Sequence, residues 1–303
     1  MENIRPYTVN SITEQHRILS LPMPHHPLVS VFNFEDVVYN PDEKFQNILL
    51  NFYCIAIKKN VTGKVRYGQN YYDFDEGVMS FISPNQLIAN IKEDHKMTGW
   101  SLVFHPDFIQ HYALAKEIKK YGFFSYATNE ALFLSEKEEE MITQMMQNIQ
   151  QEYLSNMDNF SQDVIVSQIE LLLNYSNRFY NRQFLTRKNV HHNLLSKMEA
   201  LLTEYFNDDQ LPGKGVPSVS YLADQLLVSP KYLSDILRSL TGQSTQQHIH
   251  DKLIEKAKTL LSTTDLSVSE VAYQLGFEYP QSFNKLFKKK TTISPLGFRQ
   301  LFN

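Results

Sequence analysis

At 303 residues and 42% hydrophobic content, the chain is long enough for two domains, each with a buried core, which excludes a disordered or fibrous protein. The 29 Lys and Arg against 33 Asp and Glu leave a formal charge of −4, which excludes a uniformly basic nucleic-acid coat but not a local basic patch. The one cysteine, Cys54, cannot close an intramolecular disulfide, and no stretch reaches the roughly 18 apolar residues of a membrane helix, so a cytoplasmic protein without membrane contact is expected.

From His26 to about Phe104, short aromatic and β-branched runs at Leu28–Phe34, Ile48–Ile57 and Val78–Ile82 predict strands. Turn signals at Asn40-Pro41-Asp42, Asn60–Gly63, Gly68-Gln69-Asn70, Asp75–Gly77 and Ser83-Pro84-Asn85 space them as a small β-sandwich or barrel would. After His105-Pro106 the period changes. Leu132-Phe133-Leu134 leads to Ser135 as an N-cap, followed by acidic residues and then Met141, Ile142, Met145, Met146, Ile149 and Tyr153 at helical spacing. A second amphipathic segment, about Gln162 to Phe179, puts Ile165, Ile169, Leu172, Leu173 and Phe179 on one face. Such helices either complete the core of one subunit or pair with a second copy. Arg182–His192 is polar and basic without a sustained period, which places a domain boundary there; from Leu194 onward the chain reads as helical.

The helical part contains an internal repeat. Ser218–Leu226 matches Ser267–Leu275 with six of the nine positions identical, and after one extra residue Leu233, Ile236 and Leu237 align with Phe283, Leu286 and Phe287. Each copy reads as a short helix, a tight turn and a second helix. A serine can cap each first helix, a small residue (Ala223, Ala272) allows close approach of the partner helix, and Gly276 supplies a turn with positive φ, where the first copy has Leu227. A bland alternative is a helical solenoid, but stable solenoids need three or more repeats. The connector from about Thr245 to Leu261 carries Ile249, Leu253, Ala257 and Leu260 on one side. At 1.5 Å per residue it is roughly 26 Å long, which suits two recognition helices set about one turn of B-DNA apart. The acidic surplus lies before Val190, and Gln281–Asn303 holds Lys285, Lys288, Lys289, Lys290 and Arg299 with no acidic residue.

Val268–Arg299 resembles the signature of AraC-family (AraC/XylS) bacterial transcriptional regulators through Gly276-Phe277, Phe283, Phe287-Lys288-Lys289, Ser294-Pro295 and Phe298-Arg299. The resemblance extends to the first helix pair and the connector through Lys252-Leu253, Ala257-Lys258 and Leu260-Leu261. Thr292 stands at a glycine position that Gly242 keeps in the first copy, and Phe298 replaces the commoner Tyr. With fewer matches, at His26-Pro27-Leu28, Phe81–Gln86 and Gly99-Trp100 to Phe104-His105-Pro106, the N-terminal part resembles the cupin-like effector and dimerisation domain of that family. The resemblance implies a multidomain α and β chain: a cupin-like β-barrel (about 20–106) with a helical dimerisation segment (about 107–181) in residues 1–185, a linker at 186–193, and an all-α double helix-turn-helix domain at 194–303. The implied partners are double-stranded promoter DNA, a second copy of the chain, RNA polymerase and a small-molecule effector of unspecified identity.

If the second helix of each copy enters a major groove, the base-reading candidates are Lys231, Ser234 and Asp235, with Tyr232 and Arg238 alongside, in the first copy and Gln281, Ser282 and Lys285 in the second. Gln suits adenine, Lys suits guanine acceptors, and Asp235 can accept from cytosine N4 or orient a neighbour. Lys288, Lys289 and Lys290 are placed to neutralise phosphates. No cofactor, metal or catalytic site is expected: His248-Ile249-His250 sits in a helix where i,i+2 side chains diverge, and Cys54 reads as a buried small hydrophobe. His105 is expected to make a structural hydrogen bond. The chain is therefore read as a sequence-specific, effector-responsive DNA-binding regulator and not an enzyme; the alternative is a sensor whose helical domain binds a protein.

Overall fold

The computed structural model describes residues 6–38, 47–59, 65–67, 70–72, 77–89, 98–127, 130–155, 158–186, 188–207 and 211–301. The chain divides into two compact units, Met1–Gln183 and Phe184–Asn303. The strands of the first are β1 (Tyr7–Val9), β2 (Val29–Asn33), β3 (Asn47–Leu50), β4 (Tyr53–Lys59), β5 (Val65–Tyr67), β6 (Asn70–Tyr72), β7 (Val78–Ile82), β8 (Gln86–Ala89), β9 (Thr98–Phe104) and β10 (Leu132–Phe133). They form a five-stranded sheet in the order β10-β7-β4-β9-β2, a three-stranded sheet in the order β1-β3-β8, and the pair β5-β6.

Strand periodicity accounts for the layering. Cys54 lies opposite Val103 and Ile82, while its neighbour Ile55 lies opposite Leu102 and Phe81. Cys54, Val103 and Phe32 share a core with Val9, Ile48, Leu50 and Ile88 of the three-stranded sheet. On the opposite face Phe81 meets Phe123 at 4.3 Å and Tyr180 at 6.0 Å between ring centroids. The five-stranded sheet is thus covered on both sides, and β4 carries the apolar run Tyr53–Ile57 that two-sided burial demands before its closing Lys58-Lys59. Among the described residues neither sheet closes on itself, so the first unit is a β-rich domain with helices, and no closed barrel is present there.

Several expected boundaries move, each for a local reason. The single run Ile48–Ile57 is two strands, because the chain turns a corner at Asn51-Phe52 to pass from one sheet to the other, and Phe52 at the corner is fully buried. Leu132-Phe133, which leads into the Ser135-capped helix as expected, also forms a short strand, β10, paired antiparallel with β7. Ser83–Gln86 does turn, with Asn85 at φ 65° and the Gln86 N–H donating to Ser83 O. The turns expected at Asn40-Pro41-Asp42, Asn60–Gly63, Gly68-Gln69 and Asp75-Glu76 lie outside the described residues.

The helices of this unit are α1 (Ile12–Ile18), α2 (Leu114–Glu117), α3 (Glu136–Leu154) and α4 (Ser161–Thr186). Ser135 and Glu138 close a reciprocal capping box at the start of α3, which buries Ile142, Met146, Ile149 and Tyr153 and leaves Met141 at its edge 39% exposed. The two units divide within the expected boundary segment Arg182–His192, where α4 runs to Thr186 and α5 (Lys188–Asn207) follows Arg187. At the start of that segment the polar side chains have partners. Arg182 donates to Glu138 and to Phe133 O, and Gln183 exchanges hydrogen bonds with Phe133 N–H and Ala131 O.

The second unit holds α5, α6 (Leu211–Lys214), α7 (Val219–Leu226), α8 (Pro230–Thr241), α9 (Thr245–Thr263), α10 (Val268–Gln274), α11 (Pro280–Thr291) and α12 (Pro295–Arg299). Its core is built on Ile249, Leu253, Ala257 and Leu261 of α9. Against these pack Leu222, Ala223, Leu233 and Leu237 from the first helix pair, Val271, Ala272, Phe283 and Phe287 from the second, and Met198, Leu202 and Phe206 of α5. No described helix is long and apolar enough to cross a membrane.

Candidate nucleic-acid interface

Both copies of the repeat fold as helix, turn, helix. In the first, Ser218 accepts from Tyr221 N–H to start α7, and Ser229 accepts from Tyr232 N–H to start α8, with Pro230 in the first turn, where its missing N–H costs nothing. In the second, Ser267 and Glu270 cap α10 reciprocally, which holds the Glu270 carboxyl below its ordinary pKa, and Pro280 opens α11. Ala223 and Ala272 are fully buried where α7 and α10 meet their partner helices. The turns differ. Leu227 adopts the left-handed conformation at φ 57°, whereas the second copy uses Gly276 at φ 83°. The connector α9 spans 19 residues, about 28 Å, and opens with a capping box between Ser244 and Gln247.

Burial fixes the rotation of the second helices. Leu233, Ile236 and Leu237 turn α8 inward, so Lys231, Asp235 and Arg238 lie on its outer side; Phe283 and Phe287 turn α11 inward, so Gln281, Lys285 and Lys288 lie on its outer side. Asn284 is exposed on this same face although the sequence-based set omits it; counting three and four residues onward from Gln281 reaches it and Lys285 together. Ser282 and Lys289 flank the face and are exposed.

Three candidates are engaged elsewhere. The Tyr232 ring packs edge-on against Phe184, 5.6 Å between centroids. Ser234 shares a 3.0 Å hydrogen bond with the buried Thr245 of α9. Lys290 pairs with Asp251 of the connector at 2.5 Å, and the other Asp251 carboxylate oxygen accepts from Gln243. Arg299, in the same basic run, donates from Nε to Leu261 O at the end of α9. Among the cations of α8, Lys231 donates to both oxygens of Asp235, at 2.6 and 2.7 Å, and Arg238 stands 3.6 Å from the same carboxylate.

The histidines have separate partners. His248 Nε2 bonds Thr241 and His250 Nε2 bonds Gln246, and burial lowers the pKa of both rings. His16 is buried, donating from Nδ1 to Pro22 O and bonding Ser30 through Nε2; burial lowers its pKa despite the carbonyl. His105 Nδ1 accepts from Asp107 N–H, a structural bond as expected. Cys54 is buried, and the loss of solvent pushes its thiol pKa up. The described residues hold no cluster of three or more His, Cys, Asp or Glu side chains able to bind a metal.

Comparison with known proteins bears on this unit. Residues 222–301 match the model of a helix-turn-helix domain family. The arabinose operon regulatory protein of Escherichia coli K12 is 36% identical over 81 residues, 27% of this chain and 28% of that protein. The transcriptional activator RhaS of E. coli is 26% identical over 161 residues, 53% of this chain and 52% of that protein. A crystal structure of the C-terminal domain of the response regulator YesN from Fusobacterium nucleatum is similar at 34% identity and TM-score 0.31, covering 35% of this chain and 98% of that one. The matched segments span from about a quarter to about half the length of the curated relatives. Two capped helix pairs on one connector, each with an outward polar face, define a double helix-turn-helix DNA-binding domain. Over that segment the chain is similar to the AraC-type DNA-binding domain of transcriptional regulators.

Proposed function

We propose that the whole chain is a cytoplasmic, effector-responsive, dimeric transcription regulator in which α8 and α11 of each subunit read adjacent major-groove segments of promoter DNA, and that it carries no catalysis. The observation that carries this reading is the pairing of two outward faces, Lys231-Asp235-Arg238 and Gln281-Asn284-Lys285-Lys288, with fully buried inner faces on the same helices. Groove-facing Lys, Arg, Gln and Asn are the side chains that recognise base edges. Lys288 and Lys289, in the last turn of α11, serve the phosphates, while Lys290 holds the connector.

Residues 1–185 and 194–303 act as sensor and reader in this proposal, with the first unit a cupin-like fold. Val164 and Leu171 lie a heptad apart on α4 and are 38% and 48% exposed, which supports pairing of two copies along that helix. The effector is a small molecule held by the β-rich unit, and thermal-shift screening of metabolites tests for it. Recruitment of RNA polymerase follows from the same reading.

Mobility-shift titrations on selected and scrambled duplexes at several salt concentrations test the DNA reading. Lys285→Ala should weaken specific binding by about 1 to 3 kcal/mol and relax one operator position, whereas Lys289→Ala should weaken all sequences alike and flatten the salt dependence. A chain that binds a protein partner instead would show no steep salt dependence on duplex DNA.

A further inference from the structure

The two outward faces differ in sign. At the positions of α11 that correspond to Lys231, Asp235 and Arg238, the second copy has Gln281, Lys285 and Lys288, with no carboxylate among them. In α8 the carboxylate is central: Lys231 Nζ sits 2.6 and 2.7 Å from its two oxygens, and Arg238 Nη1 lies 3.6 Å away on the next turn. The Asp235 side chain is 17% exposed against 40% for Lys231 and 59% for Arg238, so the anion lies deeper and the two cations reach further out.

That arrangement is costly for indiscriminate DNA binding and well suited to one base pair. A negative charge facing a groove lined by phosphates is repelled unless it accepts a hydrogen bond there, and a lysine held on both carboxylate oxygens is not free to swing to a phosphate. In a major groove, guanine offers two acceptors, O6 and N7, and its paired cytosine offers a donor, N4–H. An ammonium beside a carboxylate matches those two edges at once, whereas an A·T pair reads acceptor, donor, acceptor and never presents two adjacent acceptors followed by a donor.

We propose, building on the DNA reading above, that Lys231 and Asp235 act as one unit that selects a G·C pair in the half-site of the first copy, Lys231 donating to the guanine and Asp235 accepting from the cytosine. Asp235 is thereby the specificity-determining residue of α8, and Arg238 serves the neighbouring position or phosphate. The second copy, without an acid on its face, supplies most of the salt-dependent affinity.

Selection of bound sequences from a random duplex pool, with the full-length chain, tests this. The wild type should return two blocks, of which Lys285→Ala relaxes one and so marks it as the block of α11. Asp235→Asn and Lys231→Met should each erase a G·C preference at the same position of the other block, and the double variant should lose no more than either single one. Asp235→Asn should also bind scrambled duplex several-fold more tightly and steepen the salt slope by about one, because Lys231 is released to the phosphates. The melting transition of each variant checks folding, and the two substitutions approach the same position from opposite partners. An unchanged motif for Asp235→Asn, or losses confined to the Lys285 block, would overturn the assignment while leaving the DNA reading intact. A wild type that returns no motif would overturn both, and so separates the two failures.

Discussion

The two helix-turn-helix copies reach the same geometry through turns that tolerate change very differently. In the first, Leu227 takes the left-handed conformation at the surface, 58% exposed, and its side chain meets solvent. In the second, Gly276 lies against the backbone of Gly215: a Cβ there would come within 2.6 Å of Gly215 C and 2.9 Å of its Cα. The family-like glycine is therefore needed for space as much as for φ. A left-handed leucine costs about 1 to 2 kcal/mol and is accepted where nothing approaches; no side chain is accepted where two backbones touch.

Breaking that contrast gives the largest expected effect. Gly276→Ala should destabilise the second unit by about 3 kcal/mol, combining a strained φ with a backbone clash, as read by denaturant or thermal unfolding. Leu227→Ala, at the corresponding turn, should change stability by less than about 1 kcal/mol. A loss of only about 1 to 2 kcal/mol at Gly276 would show that φ alone, not the contact with Gly215, separates the turns.

The caps come next. Ser218→Ala and Ser267→Ala should each cost about 1 kcal/mol, since each leaves an N–H of the first helical turn without its acceptor. At the other end, Thr292→Gly should stabilise by about 0.5 to 1 kcal/mol: Thr292 caps α11 at φ 69°, a conformation that disfavours a β-branched residue and that Gly242 adopts freely at the end of α8. The smallest effect is one of pH. Glu270 has a depressed pKa and is part of a cap the first copy lacks, because Tyr221 stands at the equivalent position. Its contribution is present above the ordinary carboxylate pKa and is lost as pH falls through the depressed one. Acid should therefore loosen the start of α10 in the wild type but not in Glu270→Gln, as followed by amide exchange.

The same contrast explains what could be read in the sequence. The repeat, the serine caps and the inward triads were legible because they depend on spacing within one helix. Rotation of the outer faces was legible only in part: Ser234 is drawn to Thr245, and Lys290 to Asp251, by an element the repeat itself does not encode. Asn284 follows from the helical period alone. Arg182 and Gln183 read as part of a polar boundary segment because their partners, Glu138 and the backbone of β10, lie some fifty residues earlier in the chain. The β-rich unit was legible as strands, but the corner at Asn51-Phe52 was not, since a single asparagine within an otherwise apolar run is a weak turn signal.

The Asp251 carboxylate has a mechanical consequence. It holds Lys290 at the end of one reading helix and Gln243 just after the other, on a connector whose inner face is buried along its length. In the proposed complex, a duplex engaged by both helices would meet a fixed gauge. If one base pair were inserted between the half-sites, the second would be displaced around the axis by about a tenth of a turn, and the protein has little slack with which to follow. The adjustment would then fall on the twist and bend of the DNA, so that the stiffness of bases no side chain touches enters the choice of target.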